Sequence, residues 1–351
     1  MKLLISALEP SSNLHLKNLL SYLDDVELLG IYDKNLTEKA PLYDISQMAI
    51  MGVSDAIKKL FWFFRVADEM VDLAKDADKI LLMDSSAFNL PLAKKLKRAY
   101  PDKEIIYYIL PQVWASRPKR VKQLEASCDR LLAILPFEVS YYKSHKASYV
   151  GHPLLDIIPD MKKEASSKEV IAFMPGSRKG EIEKLLPIFK EVRKRLSDKE
   201  AILIIPPSFS ERKIEALYGD VSMFTLSFHT QEALHKASFA FICSGTATLE
   251  ATLIGTPFIL TYIAKKIDFL IGYHLLGIQE VGLANILFRK QGLPPLHTEL
   301  LQEHVSVENL LYHYEKSNRT LFQEKAKEIR AYLSHGSAES VASIIQKEYR
   351  C

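Results

Sequence analysis

Three cysteines in 351 residues, Cys128, Cys243 and Cys351, leave no CxxC pair and no cluster of His and Cys at zinc spacing. A disulfide framework and a metal site are therefore not expected, and a reducing, cytoplasmic address fits. Long hydrophobic runs are missing too. Charged or polar residues break every stretch before it reaches the roughly 18 apolar residues a spanning helix needs. The N-terminal MKLLISALEPSS has too short an apolar core for a secretory signal and reads as a first strand. Nor is there an excess of charge of one sign: the net charge of +3 is too small to draw nucleic acid by bulk attraction. No low-complexity tract or fixed-period repeat stands out. With 48% hydrophobic and 25% charged residues, the composition excludes collagen-like, coiled-coil and extensively disordered chains.

What is present is alternation. LLISAL is followed by a helical pattern over Leu14 to Leu23, then VELLGIY, then KILLM from Lys79 and a helix over Leu90 to Ala99, then EIIYYIL and RLLAIL. After a polar stretch, MKKEASSKE, the pattern restarts with VIAFM, a helix from Glu181 to Leu196, AILIIP, FAFICS and PFILTY. Short apolar strands alternating with amphipathic helices mark βα units around parallel sheets. The expectation is two doubly wound, Rossmann-like α/β domains facing a cleft, 1–160 and 161–324. Beyond Leu321, FQEKAKEIRAYL and ESVASIIQKEY are helical patterns split at His335-Gly336-Ser337.

Two strand-turn-helix edges in the second domain carry chemistry. MPGSRKGEIEKLLP, from Met174, follows VIAFM and opens a helix, so backbone N–H groups at Gly176 and Ser177 are placed to face a phosphate at a helix N-terminus. Arg178 adds a forked, permanently charged donor. The motif is neither a Walker loop nor GxGxxG, and a surface turn with solvated cations explains it equally well. In ICSGTATLEATLIGTP, Ser244-Gly245-Thr246 form the turn and Glu250 is the one charged side chain between Phe239 and Tyr262. Glu250 is either a buried structural acid or a hydroxyl acceptor for a ligand such as a ribose. The second is favoured, because an unpaired buried charge is costly.

MPGSRKGEIEKLLP, CSGTATLEATLIGTP and VGLANIL together resemble the donor half of the lipid-A-disaccharide synthase family, glycosyltransferases of the two-domain GT-B type. In the first half MAIMGVSDAI at Met48, DSSAFNLPLAKKLK at Asp84, YYILPQVWASRPKRVKQL at Tyr107, AILPFEVSYY at Ala133 and VGHPLLD at Val150 match in order. The resemblance implies transfer of 2,3-diacylglucosamine from its UDP carrier to 2,3-diacylglucosamine 1-phosphate, with UDP as the second product and no cofactor. It implies that Gly176, Ser177, Arg178, Ser244, Gly245, Thr246, Glu250 and Asn285 meet the donor, and that helices 325–351 rejoin the first domain. Asp84 stands at the family's catalytic aspartate position, as the general base for inversion. A helix N-cap is the reading of Asp84 without the resemblance. Glu9, Ser11, Asn13, Asn89, Gln112 and Trp114 would line the acceptor side or the cleft, although Trp114 also suits plain packing.

The family's first loop reads AGExSGDLHG, whereas this chain has ALEPSSNLHL, with Leu8, Ser12 and Asn13 replacing the glycines and the aspartate. That departure bears on acceptor recognition; His15 is read as a helix-surface or packing residue. In AIKKLFWFFRVADEMVDL, Phe61, Trp62, Phe63 and Phe64 form an aromatic face flanked by Lys58, Lys59 and Arg65. It suits either a core helix or an interfacial helix on the cytoplasmic face of the inner membrane. RPKRVK, Arg117 to Lys122, would assist at the membrane or meet the acceptor phosphate. An isologous homodimer is expected from its general frequency. Two other readings stay open: a UDP-N-acetylglucosamine 2-epimerase-like enzyme, and a nucleotide-sugar-binding protein without catalysis.

Overall fold

The computed structural model describes residues 1–45, 56–115, 117–162, 169–264 and 280–347, without the side chains of 56–61. The match at Met48, most of the polar linker, Cys351 and the Phe61 side chain lie outside the described residues. Strands form where apolar residues run unbroken, because a parallel strand is covered on both faces. KILLM (β4, Lys79–Met83), IIYY (β5, Ile105–Tyr108), VIAFM (β8, Val170–Met174) and FAFIC (β11, Phe239–Cys243) are buried along their whole length.

Among the described residues, seven parallel strands make the first sheet, in the order β3-β2-β1-β4-β5-β6-β7. Its remaining members are β1 (Lys2–Ala7), β2 (Glu27–Tyr32), β3 (Tyr43–Asp44), β6 (Arg130–Ala133) and β7 (Ala147–Tyr149). Six parallel strands make the second, β10-β9-β8-β11-β12-β13, with β9 (Glu200–Ile204), β10 (Thr225–Ser227), β12 (Phe258–Tyr262) and β13 (Thr298–Leu301). Each sheet grows outward in both directions from a central pair, β1 and β4 in one, β8 and β11 in the other. The chain divides into two compact units, Met1–Ile157 with Leu333–Cys351, and Ile158–Tyr332.

The last helix, Ser337–Gln346, belongs to the first unit, where Val341, Ala342 and Ile345 join Leu3, Ile5, Leu81 and Ile106 in one core. Its start is held by the carboxylate of Asp156, which accepts from the N–H groups of Gly336 (2.7 Å) and Ala338 (2.8 Å). The acid of GHPLLD is thus the N-terminal cap of a helix 180 residues further along the chain.

Candidate active site

In a doubly wound sheet, two loops diverge where the strand order reverses, leaving a crevice at the C-terminal strand ends. In the first unit the reversal lies between β1 and β4, paired so that Ala7 faces Met83. The next residues along carry Glu9 and Asp84. Asp84 and Ser85 both take left-handed backbone angles, φ 50° and 40°, a region that residues other than glycine rarely enter. The Asp84 N–H donates to the Tyr108 carbonyl (3.1 Å), and the Asp84 carbonyl accepts from the Tyr107 hydroxyl (2.5 Å) and from Asn89 Nδ2 (3.0 Å). The helix Ser86–Ala99 takes Ser85 as its N-cap, with no side-chain capping bond, so capping is not the role of Asp84.

Burial pushes the Asp84 carboxyl above the ordinary aspartate value; the Ser85 N–H opposes the rise and the charge of Glu9 adds to it. Glu9 Oε1 accepts from the Ser85 hydroxyl (3.4 Å), so the two carboxylates share one turn. Arg120, in the basic run, reaches the same turn, its Nη1 donating to Ser86 Oγ (2.8 Å).

The altered first loop has become the start of a helix, Pro10–Leu20, with Glu9 as N-cap and Pro10 in the first turn. Neither Leu8 nor Ser12 has a positive φ, so nothing in this backbone calls for glycine there. Asn13 is buried: its Nδ2 donates to the carbonyls of Ala7 (2.8 Å) and Glu9 (2.9 Å), and its Oδ1 accepts from the Asp33 N–H (2.7 Å). Asn89 is buried as well, donating to the carbonyls of Met83 and Asp84 and accepting from Ser6 Oγ (2.6 Å). The structure places both amides as brackets of the backbone, not as cleft contacts. Ser11 and Gln112 are exposed. Trp114 packs edge-on against Phe137 and donates through Nε1 to Glu138 (3.0 Å), whose carboxyl burial pushes up to about 7. His15 is buried in packing, pushed down to about 4 chiefly by burial.

In the second unit the reversal lies between β8 and β11, and the turn after β8 passes the end of β11: a Cβ added to Gly176 would stand 3.2 Å from Cys243 Sγ. The Ser177 N–H, expected to face a phosphate, instead donates to Glu181 Oε2 (3.2 Å), as does the Arg178 N–H (3.2 Å), and Arg178 Nη1 donates to Oε1 (3.1 Å). Glu181 thus fills the loop as an internal anion. Gly176, at φ 105°, makes room for it; a Cβ there would lie 2.5 Å from the Glu181 carboxylate. Arg178 keeps 82% of its side chain exposed, so most of its guanidinium still faces solvent.

Gly245, at φ 155° and ψ −170°, precedes the helix Thr246–Ile254, which has no side-chain cap and no acid in its first turn. Ser244 is partly buried, and Gly245 and Thr246 are exposed, leaving this helix start accessible. One turn in, Glu250 has no hydrogen-bond or ion-pair partner among the described residues, and burial raises its carboxyl above the ordinary glutamate value. Asn285 is the opposite case. Its Nδ2 donates to the His297 carbonyl (2.9 Å) and Glu299 Oε1 (2.8 Å), and its Oδ1 accepts from the N–H groups of Leu296 (2.8 Å) and His297 (3.1 Å). With all four positions filled, VGLANIL ties its helix, Leu283–Lys290, to the approach of β13.

The aromatic face is divided within the helix Ala56–Leu73. Trp62 packs edge-on against Tyr43, and Phe63 lies against Phe88, both partly buried and packed against the first-unit core. Phe64 is 50% exposed, with Lys95 Nζ over its ring. No helix among the described residues is long and apolar enough to cross a membrane.

Residues 3–347 match the family described as lipid-A-disaccharide synthetase. The lipid-A-disaccharide synthase of Helicobacter pylori strain G27 is 48% identical, with 97% of each chain covered. Among solved structures, UDP-GlcNAc 2-epimerase from Neisseria meningitidis bound to UDP-GlcNAc has a TM-score of 0.63 at 12% identity, covering 98% of each chain. MurG from Acinetobacter baumannii has a TM-score of 0.58 at 14% identity, covering 99% of each. At such identities the structures speak for fold alone, two parallel-sheet α/β domains of the GT-B type. The near full-length sequence match decides the family: the chain belongs to the lipid-A-disaccharide synthases.

Proposed function

We propose that the chain is an inverting glycosyltransferase that moves 2,3-diacylglucosamine from UDP to the 6-hydroxyl of 2,3-diacylglucosamine 1-phosphate. The products are the β-1,6-linked lipid A disaccharide 1-phosphate and UDP. The observation that carries the reading is Asp84: in a chain matched to this family over residues 3–347, its carboxylate ends β4, caps no helix, and has its basicity raised by burial. A general base works best when its pKa is brought toward the working pH. As the acceptor oxygen bonds to the anomeric carbon, its proton passes to Asp84. The bond from that carbon to the β-phosphate oxygen breaks, and its electron pair leaves with UDP.

The exposed guanidinium of Arg178 and the open start of the Thr246 helix are suited to the growing charge on the diphosphate. Ser244, Gly245 and Thr246 supply that helix start, while Glu250, without a partner among the described residues, takes hydroxyls of the donor. Arg120, held at the Asp84 turn, is the candidate for the acceptor phosphate. Phe64 and the basic run Arg117 to Lys122 are the candidates for contact with the inner-membrane surface, where both acylated substrates partition.

An epimerase shares the fold and the need to hold UDP, but its support here is fold likeness at 12% identity. The two readings separate in one assay. Supplied with UDP-2,3-diacylglucosamine and the 1-phosphate acceptor, the protein is expected to release UDP only when both are present. UDP release from the donor alone, or an epimerised sugar, refutes the transferase.

A further inference from the structure

We propose that Tyr107 is a positioning residue for the general base: its hydroxyl, through the Asp84 carbonyl, holds the Asp84-Ser85 turn in the left-handed form that aims the carboxylate. The proposal rests on the reading of Asp84 as base. It starts from strand register. β4 and β5 pair with Leu82 opposite Tyr107 and Met83 opposite Tyr108. The ladder's last bond joins the Asp84 N–H to the Tyr108 carbonyl (3.1 Å), and the chain then turns through two consecutive positive φ values. Such angles at side-chain-bearing residues persist only where surrounding structure imposes them.

What imposes them here is one oxygen. The Asp84 carbonyl takes the Tyr107 hydroxyl at 2.5 Å and Asn89 Nδ2 at 3.0 Å, and Asn89 is itself fixed by Ser6 Oγ at 2.6 Å. Tyr107 and Asn89 are fully buried, so both donors are held out of bulk water. Relaxing either φ toward the right-handed region would rotate the Asp84 peptide and take its carbonyl off both donors. The carboxylate direction is therefore coupled to a hydroxyl lying behind the site, away from substrate.

Tyr107→Phe keeps the ring and removes the one bond. In the full-length enzyme it is expected to lower kcat about tenfold, the scale of one buried hydrogen bond, with each KM and the Kd for UDP within about twofold of wild type. The acid limb of the kcat profile should move to lower pH, because a loosened turn lets water reach the carboxyl. Glycine takes left-handed angles freely, so in a Ser85→Gly background the same substitution should cost only about threefold. Unchanged kcat in Tyr107→Phe, an unmoved acid limb, or equal losses in both backgrounds overturns the proposal. Asp84→Asn with wild-type turnover overturns instead the base assignment beneath it.

Discussion

Glu250→Gln separates two readings of the same residue, because they predict opposite signs. A structural acid held by donors stabilises the fold, and neutralising it costs about 1 to 3 kcal/mol through donors left unpaired. Glu250 has no such donors among the described residues, and desolvation alone raises its carboxyl. Glutamine in its place removes a charge that desolvation disfavours and that no described residue compensates. The expected result is no loss of stability in the ligand-free protein, with a gain of up to about 1 kcal/mol at neutral pH.

The pH dependence follows from the sign of the shift. With its folded pKa raised, Glu250 binds more protons in the folded than in the unfolded state between the two values. Its contribution to stability therefore falls as pH rises from the ordinary glutamate value through the folded one. The glutamine gain should accordingly be present at pH 7.5 and absent at about pH 4. UDP binding moves the other way. A carboxylate accepting from a hydroxyl contributes about 1.5 to 3 kcal/mol, so losing the charge should raise the Kd for UDP on the order of tenfold or more. Denaturant unfolding at the two pH values, with calorimetric titration of UDP and of its 2′- and 3′-deoxy analogues, reads both effects. If the carboxylate takes ribose hydroxyls, the variant should lose discrimination between UDP and the matching deoxy analogue. A destabilised ligand-free variant, or an unchanged Kd for UDP, refutes the reasoning.

Asp84→Asn should abolish most turnover while leaving the Kd for UDP intact, since UDP is assigned to the other unit. Glu9→Gln should shift the acid limb of kcat to lower pH, because the charge of Glu9 adds to the rise at Asp84; an unmoved limb removes Glu9 from the electrostatics of the base. Arg120→Ala should raise KM for the 1-phosphate acceptor roughly tenfold, on the scale of a charge-assisted bond, and leave turnover of an acceptor lacking the phosphate unaltered. Equal losses with both acceptors would take Arg120 away from the phosphate. Asp156→Ala removes the acceptor of two N–H groups at the start of the Ser337–Gln346 helix, and about 2 kcal/mol of stability should go with it. Hydrogen exchange should show that helix opening first, while the second unit keeps its protection.

The central strands are legible in the sequence because a strand covered on both faces has to be apolar throughout; KILLM and FAFIC admit few other readings. The short strands β3, β7, β10 and β13 escape, since two to four residues at or near a sheet margin leave no pattern to find. The site divides along a different line. Asn13, Asn89 and Asn285 are expected at ligands only because they lie in the segments that resemble the family, and sequence cannot tell whether an amide's partners are solute or backbone. In the structure they are backbone and neighbouring side chains. Glu181 carried a usable signal: an acid three residues after the helix cap commonly turns back on the cap's own N–H, and here it takes that of Arg178 and also the Ser177 N–H assigned to a phosphate. Tyr107 gave none, for within EIIYYIL a tyrosine reads as core and its hydroxyl's direction depends on the register of two strands. Glu250 stands apart from all of these. Among the described residues nothing donates to it, and the Glu250→Gln experiment decides whether a ligand does.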